Sequence, residues 1–192
     1  RNLPSNCVFT GLLSRFSGEV IPDQNHIKKD YNLIILSGPE PQKSILKRKL
    51  EMLLDGQERQ TIILTGNPER KTTEIKEGNV ISYNHLPANE LKQIIASGKS
   101  IISRSGYSTI MDLIALNRSA LLIPTPGQTE QEYLAEYLSG KGWFSTVAQK
   151  ELKAPLNLPG TQAGWPSEIV STSRNLLENV LSEILESIKD KP

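Results

Sequence analysis

Two short polar clusters in the stretch 101–131, IISRSGYSTIMDLIALNRSALLIPTPGQTEQ, carry most of this chain's capacity for chemistry. The first is Ser103-Arg104-Ser105-Gly106 followed by Thr109 and Asp112, and the second is Gly127-Gln128-Thr129-Glu130-Gln131. Ser105-Gly106 leads from an apolar run straight into a helical pattern. The first N–H groups of such a helix lack helical partners, and its dipole favours an anion. Gly106 would admit a ligand close to the backbone, and Arg104 would add a charge-assisted hydrogen bond to a phosphate. The plain alternative is an ordinary strand-to-helix turn with a solvated arginine. Asp112 offers a carboxylate that can accept from two adjacent ribose hydroxyls, as acidic residues do in dinucleotide folds. Thr109-Ile110-Met111-Asp112 equally fits a capping box, in which Asp112 only closes the helix. Thr129-Glu130-Gln131-Glu132 fits one too, with Glu132 as its partner. That leaves Glu130 and Gln131 either for sugar hydroxyls or as an exposed helix start.

Smaller candidates lie elsewhere. Ser37-Gly38 follows a central apolar run, where backbone N–H groups would face a phosphate. Thr10-Gly11 and Arg15 come early, and Arg15 would also reach an anion. His85 follows a strand pattern, and no chemistry is assigned to it.

Composition narrows the partners. The chain has 192 residues and a net charge of +1, from 22 basic and 21 acidic residues. No field of one sign favours nucleic acid or an anionic membrane. Cys7 is the single cysteine, so no intrachain disulfide or cysteine-based metal site forms. His26 and His85 are too far apart for a zinc motif, and no metal or cofactor is expected. No apolar run approaches the ~20 residues of a membrane span. The chain opens Arg1-Asn2-Leu3-Pro4, with no initiator methionine and no signal-peptide pattern, and reads as an excised domain or processed fragment.

The elements that must position these residues follow from apolar runs punctuated by turn residues. Strands are predicted at Cys7–Thr10, Tyr31–Leu36, Thr61–Thr65, Asn79–Tyr83, Ser100–Ser103, Ala120–Ile123 and Phe144–Val147. Helices are predicted from Pro41 through Leu54, at Pro87–Ser97, Thr109–Leu116, Thr129–Lys141 and Ser171–Lys189. Residues 17–30 and the Pro/Gly-rich stretch 152–165 read as loops, and Asn117 sits where a left-handed cap is often needed. This alternation implies an α/β fold: a doubly wound, Rossmann-like parallel sheet with helices on both faces, spanning residues 1–192 as one domain.

At these residues the chain resembles the C-terminal domain of MurG-like glycosyltransferases, family twenty-eight of the GT-B fold. The shared pattern is strand, Arg104-Ser105-Gly106, Thr109, Asp112, helix, then strand, Pro124 and Glu130-Gln131. Thr10-Gly11 with Arg15 is similar to the family's entrance to this domain. The resemblance spans roughly Thr10 to Val147 and implies the donor-binding half of an inverting, metal-independent hexosyltransferase. Its donor would be a nucleotide-sugar, commonly a UDP-sugar. Asp112 would hold the ribose, while Arg15, Ser37 and the turn at Ser105-Gly106 would approach the diphosphate; Gly38, Arg104 and Thr109 belong to the same donor-binding set. Glu130 and Gln131 would contact the sugar, and Tyr83-Asn84 would border the base, largely through backbone. The acceptor and the general base would belong to a separate N-terminal domain, so this fragment alone would transfer nothing. A cytoplasmic location, with peripheral membrane attachment left open, is implied in the same way. The chain departs from the pattern in its Ser37-Gly38-Pro39-Glu40-Pro41-Gln42 loop, which replaces a glycine-rich turn. It also carries Asp at 112 rather than the usual Glu, and a longer stretch after Tyr83. A GT-B nucleotide-sugar epimerase and a non-catalytic subunit of the same fold are the alternative readings.

Overall fold

A continuous apolar run can be buried on both faces only in the middle of a sheet covered by helices, and Tyr31–Leu36 takes that place. The computed structural model describes residues 7–16, 30–66, 74–156, 158–161, 164–166 and 168–189. In chain order the elements are β1 (Tyr31–Ile35), α1 (Gln42–Leu54), β2 (Gln60–Leu64), β3 (Glu74–Glu77), β4 (Val80–Tyr83), α2 (Ala88–Ser97) and β5 (Ser100–Ser103). There follow α3 (Tyr107–Ala115), β6 (Leu121–Leu122), α4 (Thr129–Gly140), β7 (Ser145–Thr146), a 3-10 turn at Gln149–Glu151 and α5 (Glu168–Lys189).

The sheet runs β3-β4-β2-β1-β5-β6-β7, parallel throughout except where β3 pairs antiparallel with β4. Leu33 stands level with Ile62 and Ile101 on its neighbours, and side-chain alternation sends these three to one face. There they meet α2, α3 and α4 through Ile95, Ile110, Leu113, Ala135 and Leu138. Ile34, Ile63 and Ile102 point to the other face, against Leu46, Leu50 and Leu54 of α1. The two apolar layers make this a doubly wound α/β sheet, the expected class. Chain order reverses between β1 and β5, since β2 and β4 lie on one side of β1 and β5, β6 and β7 on the other. Ligands of open α/β sheets bind at such a reversal, outside the carboxyl ends of the strands.

Three local expectations fail. Residues 7–14, which include the predicted strand Cys7–Thr10, have no regular structure, with Val8 and Phe9 exposed. This segment lies instead against α3 and α5. The Leu13 amide reaches Met111 Sδ at 3.3 Å, and a Cβ on Gly11 would stand 2.6 Å from Ser173 Cα. The edge strand β3 was not foreseen, because Glu74-Ile75-Lys76-Glu77 is exposed and mostly charged, with no apolar periodicity to reveal it. Helix α3 begins two residues before Thr109, which removes both the predicted boundary and the capping box built on it. The loop expected over 17–30 lies outside the described residues apart from its last position.

Candidate functional site

The carboxyl ends of β1, β5 and β6 bring Ser37-Gly38, Arg104-Ser105-Gly106 and Thr125 together at the reversal point. Gly106 precedes α3, and no side chain caps that helix. Its first helical hydrogen bond runs from Ile110 N to Gly106 O, so the amides of Tyr107, Ser108 and Thr109 come before the ladder begins. Gly38 sits exposed at a φ of +98°, in the left-handed region that favours glycine. A Cβ added at Gly106 would stand 3.9 Å from Ser37 Oγ, and one added at Gly38 would stand 3.7 Å from Thr125 Oγ1. Two bare stretches of backbone thus stand close to two hydroxyls at these strand ends. Glu40 is exposed and turned to the start of α1, where its carboxylate accepts from Ser44 N at 3.2 Å. Hydrogen bonds from the Ser44 side chain and then from its backbone N–H lower its pKa, so it stays charged.

Asp112 is the sixth residue of α3 and only 5% exposed, too deep in the helix to cap it. Ser14 Oγ donates to its Oδ1 at 2.7 Å, and Arg15 approaches its Oδ2 through Nε at 2.9 Å and Nη2 at 2.8 Å. The carboxylate expected to hold ribose and one arginine expected to hold phosphate are therefore bonded to each other. The Arg15 side chain remains 56% exposed, so it can exchange partners without leaving solvent.

Arg104 is fully buried, which rules out the solvated arginine, and its guanidinium Nη atoms are taken up by backbone carbonyls rather than left free for a phosphate. Nη1 donates to the carbonyls of Ile123 and Pro124 at 3.2 and 3.1 Å, and Nη2 to the Gln42 carbonyl at 2.9 Å. Burial lowers its pKa to about 10, which still leaves it charged at neutral pH. Arg104 thereby ties the end of β6 to the start of α1. Ser105 is also buried, and its hydroxyl donates to Gln131 O at 2.7 Å, joining the starts of α3 and α4.

The second cluster splits in two. Gln131, left by the sequence with no structural task, has one: Oε1 accepts from Thr125 N at 3.0 Å and Nε2 donates to Gln128 Oε1 at 2.6 Å. Glu130 remains exposed on the first turn of α4. Gln128, not Thr129, is the N-cap, although Glu132 does reach back to the Gly127 amide at 3.0 Å. Tyr83 ends β4, three strands from β5, about 14 Å across at the usual strand spacing. Its carbonyl accepts from Thr65 N at 2.9 Å, and its hydroxyl donates to Glu74 at 3.2 Å. Asn84 is buried, with Oδ1 accepting from His85 N at 2.9 Å. Thr125 was missed altogether, since in sequence it is only the middle of a Pro-Thr-Pro turn.

Comparison with known proteins bears on this arrangement. The model of the family described as "Glycosyltransferase family 28 C-terminal domain" matches residues 20–161. The chain is 30% identical over 103 residues to the UDP-N-acetylglucosamine--N-acetylmuramyl-(pentapeptide) pyrophosphoryl-undecaprenol N-acetylglucosamine transferase of Caldanaerobacter subterraneus subsp. tengcongensis, covering 50% of this chain and 28% of that enzyme. It is 25% identical over 179 residues to the enzyme of the same name from Sinorhizobium fredii, covering 82% of this chain and 47% of the relative. The chain thus spans less than half the length of either. Among solved structures, the glycotransferase of kitacinnamycin superposes with a TM-score of 0.56 at 14% identity, over 94% of this chain and 48% of that one. At that identity the superposition establishes the shared fold.

Proposed function

The chain belongs to the family of glycosyltransferase family 28 C-terminal domains, and on that premise we propose that it binds the nucleotide-sugar donor of a hexosyltransferase, most simply a UDP-sugar. The observation that carries this reading is the uncapped start of α3 at the point where strand order reverses, facing the exposed Gly38 turn. Partial positive charge from the amides of residues 107–109 is what a diphosphate needs there. Asp112 would take the ribose hydroxyls once Arg15 turns from it towards the diphosphate. Glu130, at the exposed start of α4, would meet the sugar. The relatives named above act on UDP-N-acetylglucosamine and a lipid-linked acceptor, which favours a UDP-hexose and an acceptor of that kind for this protein.

The reaction proposed is a single inverting displacement. An acceptor hydroxyl attacks the anomeric carbon, the bond to the diphosphate oxygen breaks, and UDP leaves with both electrons. The α3 amides and Arg15 would stabilise the charge developing on that oxygen, without recourse to a metal. The base that takes the acceptor proton is assigned to an acceptor-binding domain on the N-terminal side. Such an enzyme would work in the cytoplasm. Among the described residues no helix is long and apolar enough to cross a membrane.

Calorimetric titration with UDP tests the reading. Micromolar to millimolar binding is expected, weakened at least tenfold by Asp112→Ala. Absence of UDP binding overturns the donor assignment, and unchanged affinity in the variant removes Asp112 from it.

A further inference from the structure

The Thr125 hydroxyl is one of several buried side-chain polar atoms that lack a hydrogen-bond partner among the described residues, and it is the one beside the Gly38 turn. The residue is 2% exposed, yet Oγ1 has no hydrogen-bond partner among the described residues. Leaving a buried hydroxyl unpaired is costly, so such a group calls for an explanation. Everything around Thr125 holds it in place. Gln131 accepts from its backbone N at 3.0 Å, and Arg104 binds the two preceding carbonyls, of Ile123 and Pro124, at 3.2 and 3.1 Å. Two buried polar side chains thus brace the turn, and neither touches the hydroxyl. Gly38 stands close to it, where a Cβ would lie 3.7 Å from Oγ1. Glycine at that position leaves an exposed turn without a side chain beside the hydroxyl, rather than a side chain packed on it.

We infer that Thr125 is a donor-positioning residue whose hydroxyl donates to the diphosphate of the nucleotide, opposite the α3 amides. The inference rests on the donor reading above and extends it to a residue that reading did not contain. Diphosphate entry between the Gly38 turn and the start of α3 would place an anionic oxygen beside Oγ1 and give the orphaned hydroxyl its acceptor. Gln131 and Arg104 then serve the ligand indirectly, by presenting Thr125.

The test compares the unaltered protein with Thr125→Val and Thr125→Ser, titrated with UDP and with uridine and melted without ligand. Valine keeps the branched shape and removes the hydroxyl. UDP affinity should fall about tenfold in Thr125→Val, as for loss of one hydrogen bond to a charged group. Uridine affinity should hold, Thr125→Ser should retain UDP binding, and the Tm of Thr125→Val should be equal or higher. Unchanged UDP affinity in Thr125→Val, or equal losses for UDP and uridine, would overturn the inference while leaving the donor reading intact. Failure of the unaltered protein to bind UDP would overturn both.

Discussion

Arg15 and Asp112 meet through a single carboxylate oxygen, with Nε at 2.9 Å and Nη2 at 2.8 Å from Oδ2. Ligand binding under the proposed function therefore begins with an exchange, not with the filling of an idle pair. Arg15→Met should cost only about 1 kcal/mol of stability, because the guanidinium is half in water. It should weaken UDP binding while leaving uridine binding equal or stronger, since the carboxylate is released for ribose and the phosphate ligand is lost. Parallel titrations with the two ligands check this, and equal losses for both would count against the exchange.

Arg104 should behave as part of the fold. Arg104→Met leaves the carbonyls of Gln42, Ile123 and Pro124 without their donor, at an expected cost of about 3 kcal/mol. Arg104→Lys should recover little of it, because one ammonium cannot span the fork of contacts that the guanidinium makes. Urea unfolding gives the comparison. Normal stability coupled to a selective loss of UDP affinity would restore Arg104 to the ligand.

Gly11 is a second structural test. Its φ is +75°, and a Cβ there would lie 2.6 Å from Ser173 Cα and 2.8 Å from Ser173 O, atoms that cannot swing aside. Gly11→Ala should cost at least about 2 kcal/mol, from strain and steric conflict together. A urea midpoint equal to that of the unaltered protein would show that residues 7–16 do not lie against α5.

Tyr31 predicts an alkaline limit to stability. Its hydroxyl donates to Ile94 O at 2.7 Å, and burial pushes its pKa up to about 12. The folded state holds the proton more tightly than the unfolded chain, whose tyrosine titrates near 10. This contribution is whole below pH 10 and lost as pH rises towards 12, amounting to roughly 2 kcal/mol by pH 11.5. The slope should be missing from Tyr31→Phe when urea unfolding at pH 8 and pH 11.5 is compared between the two proteins.

The central strands were legible because burial on both faces leaves an unbroken apolar signature, as in Tyr31–Leu36 and Thr61–Leu64. The charged edge strand Glu74–Glu77 was not, since its pairing with β4 needs no apolar periodicity. Cys7–Thr10 misled because its apolar residues, Val8 and Phe9 among them, are exposed in a segment without regular structure, so the apolar run marks no buried strand. The site itself was readable from glycine and hydroxyl residues at strand ends. The division of labour within it was not. Whether Arg104 or Gln131 faces a ligand or holds a loop depends on burial, which residue type and spacing do not encode. Thr125 carried no motif; its missing partner together with its place beside the Gly38 turn singled it out.

Segment 7–16 touches Ser173 on α5 through Gly11 and Asp112 on α3 through Ser14 and Arg15. It is a strap anchored at one point on the terminal helix and at another on the Asp112 carboxylate. A partner domain joined through residue 7 would hold the near end of that strap. Its position and the hold of Arg15 on Asp112 are then mechanically linked: drawing the strap away from α3 would uncover the Asp112 carboxylate, and under the proposed function nucleotide that displaced Arg15 would slacken the tether to the partner.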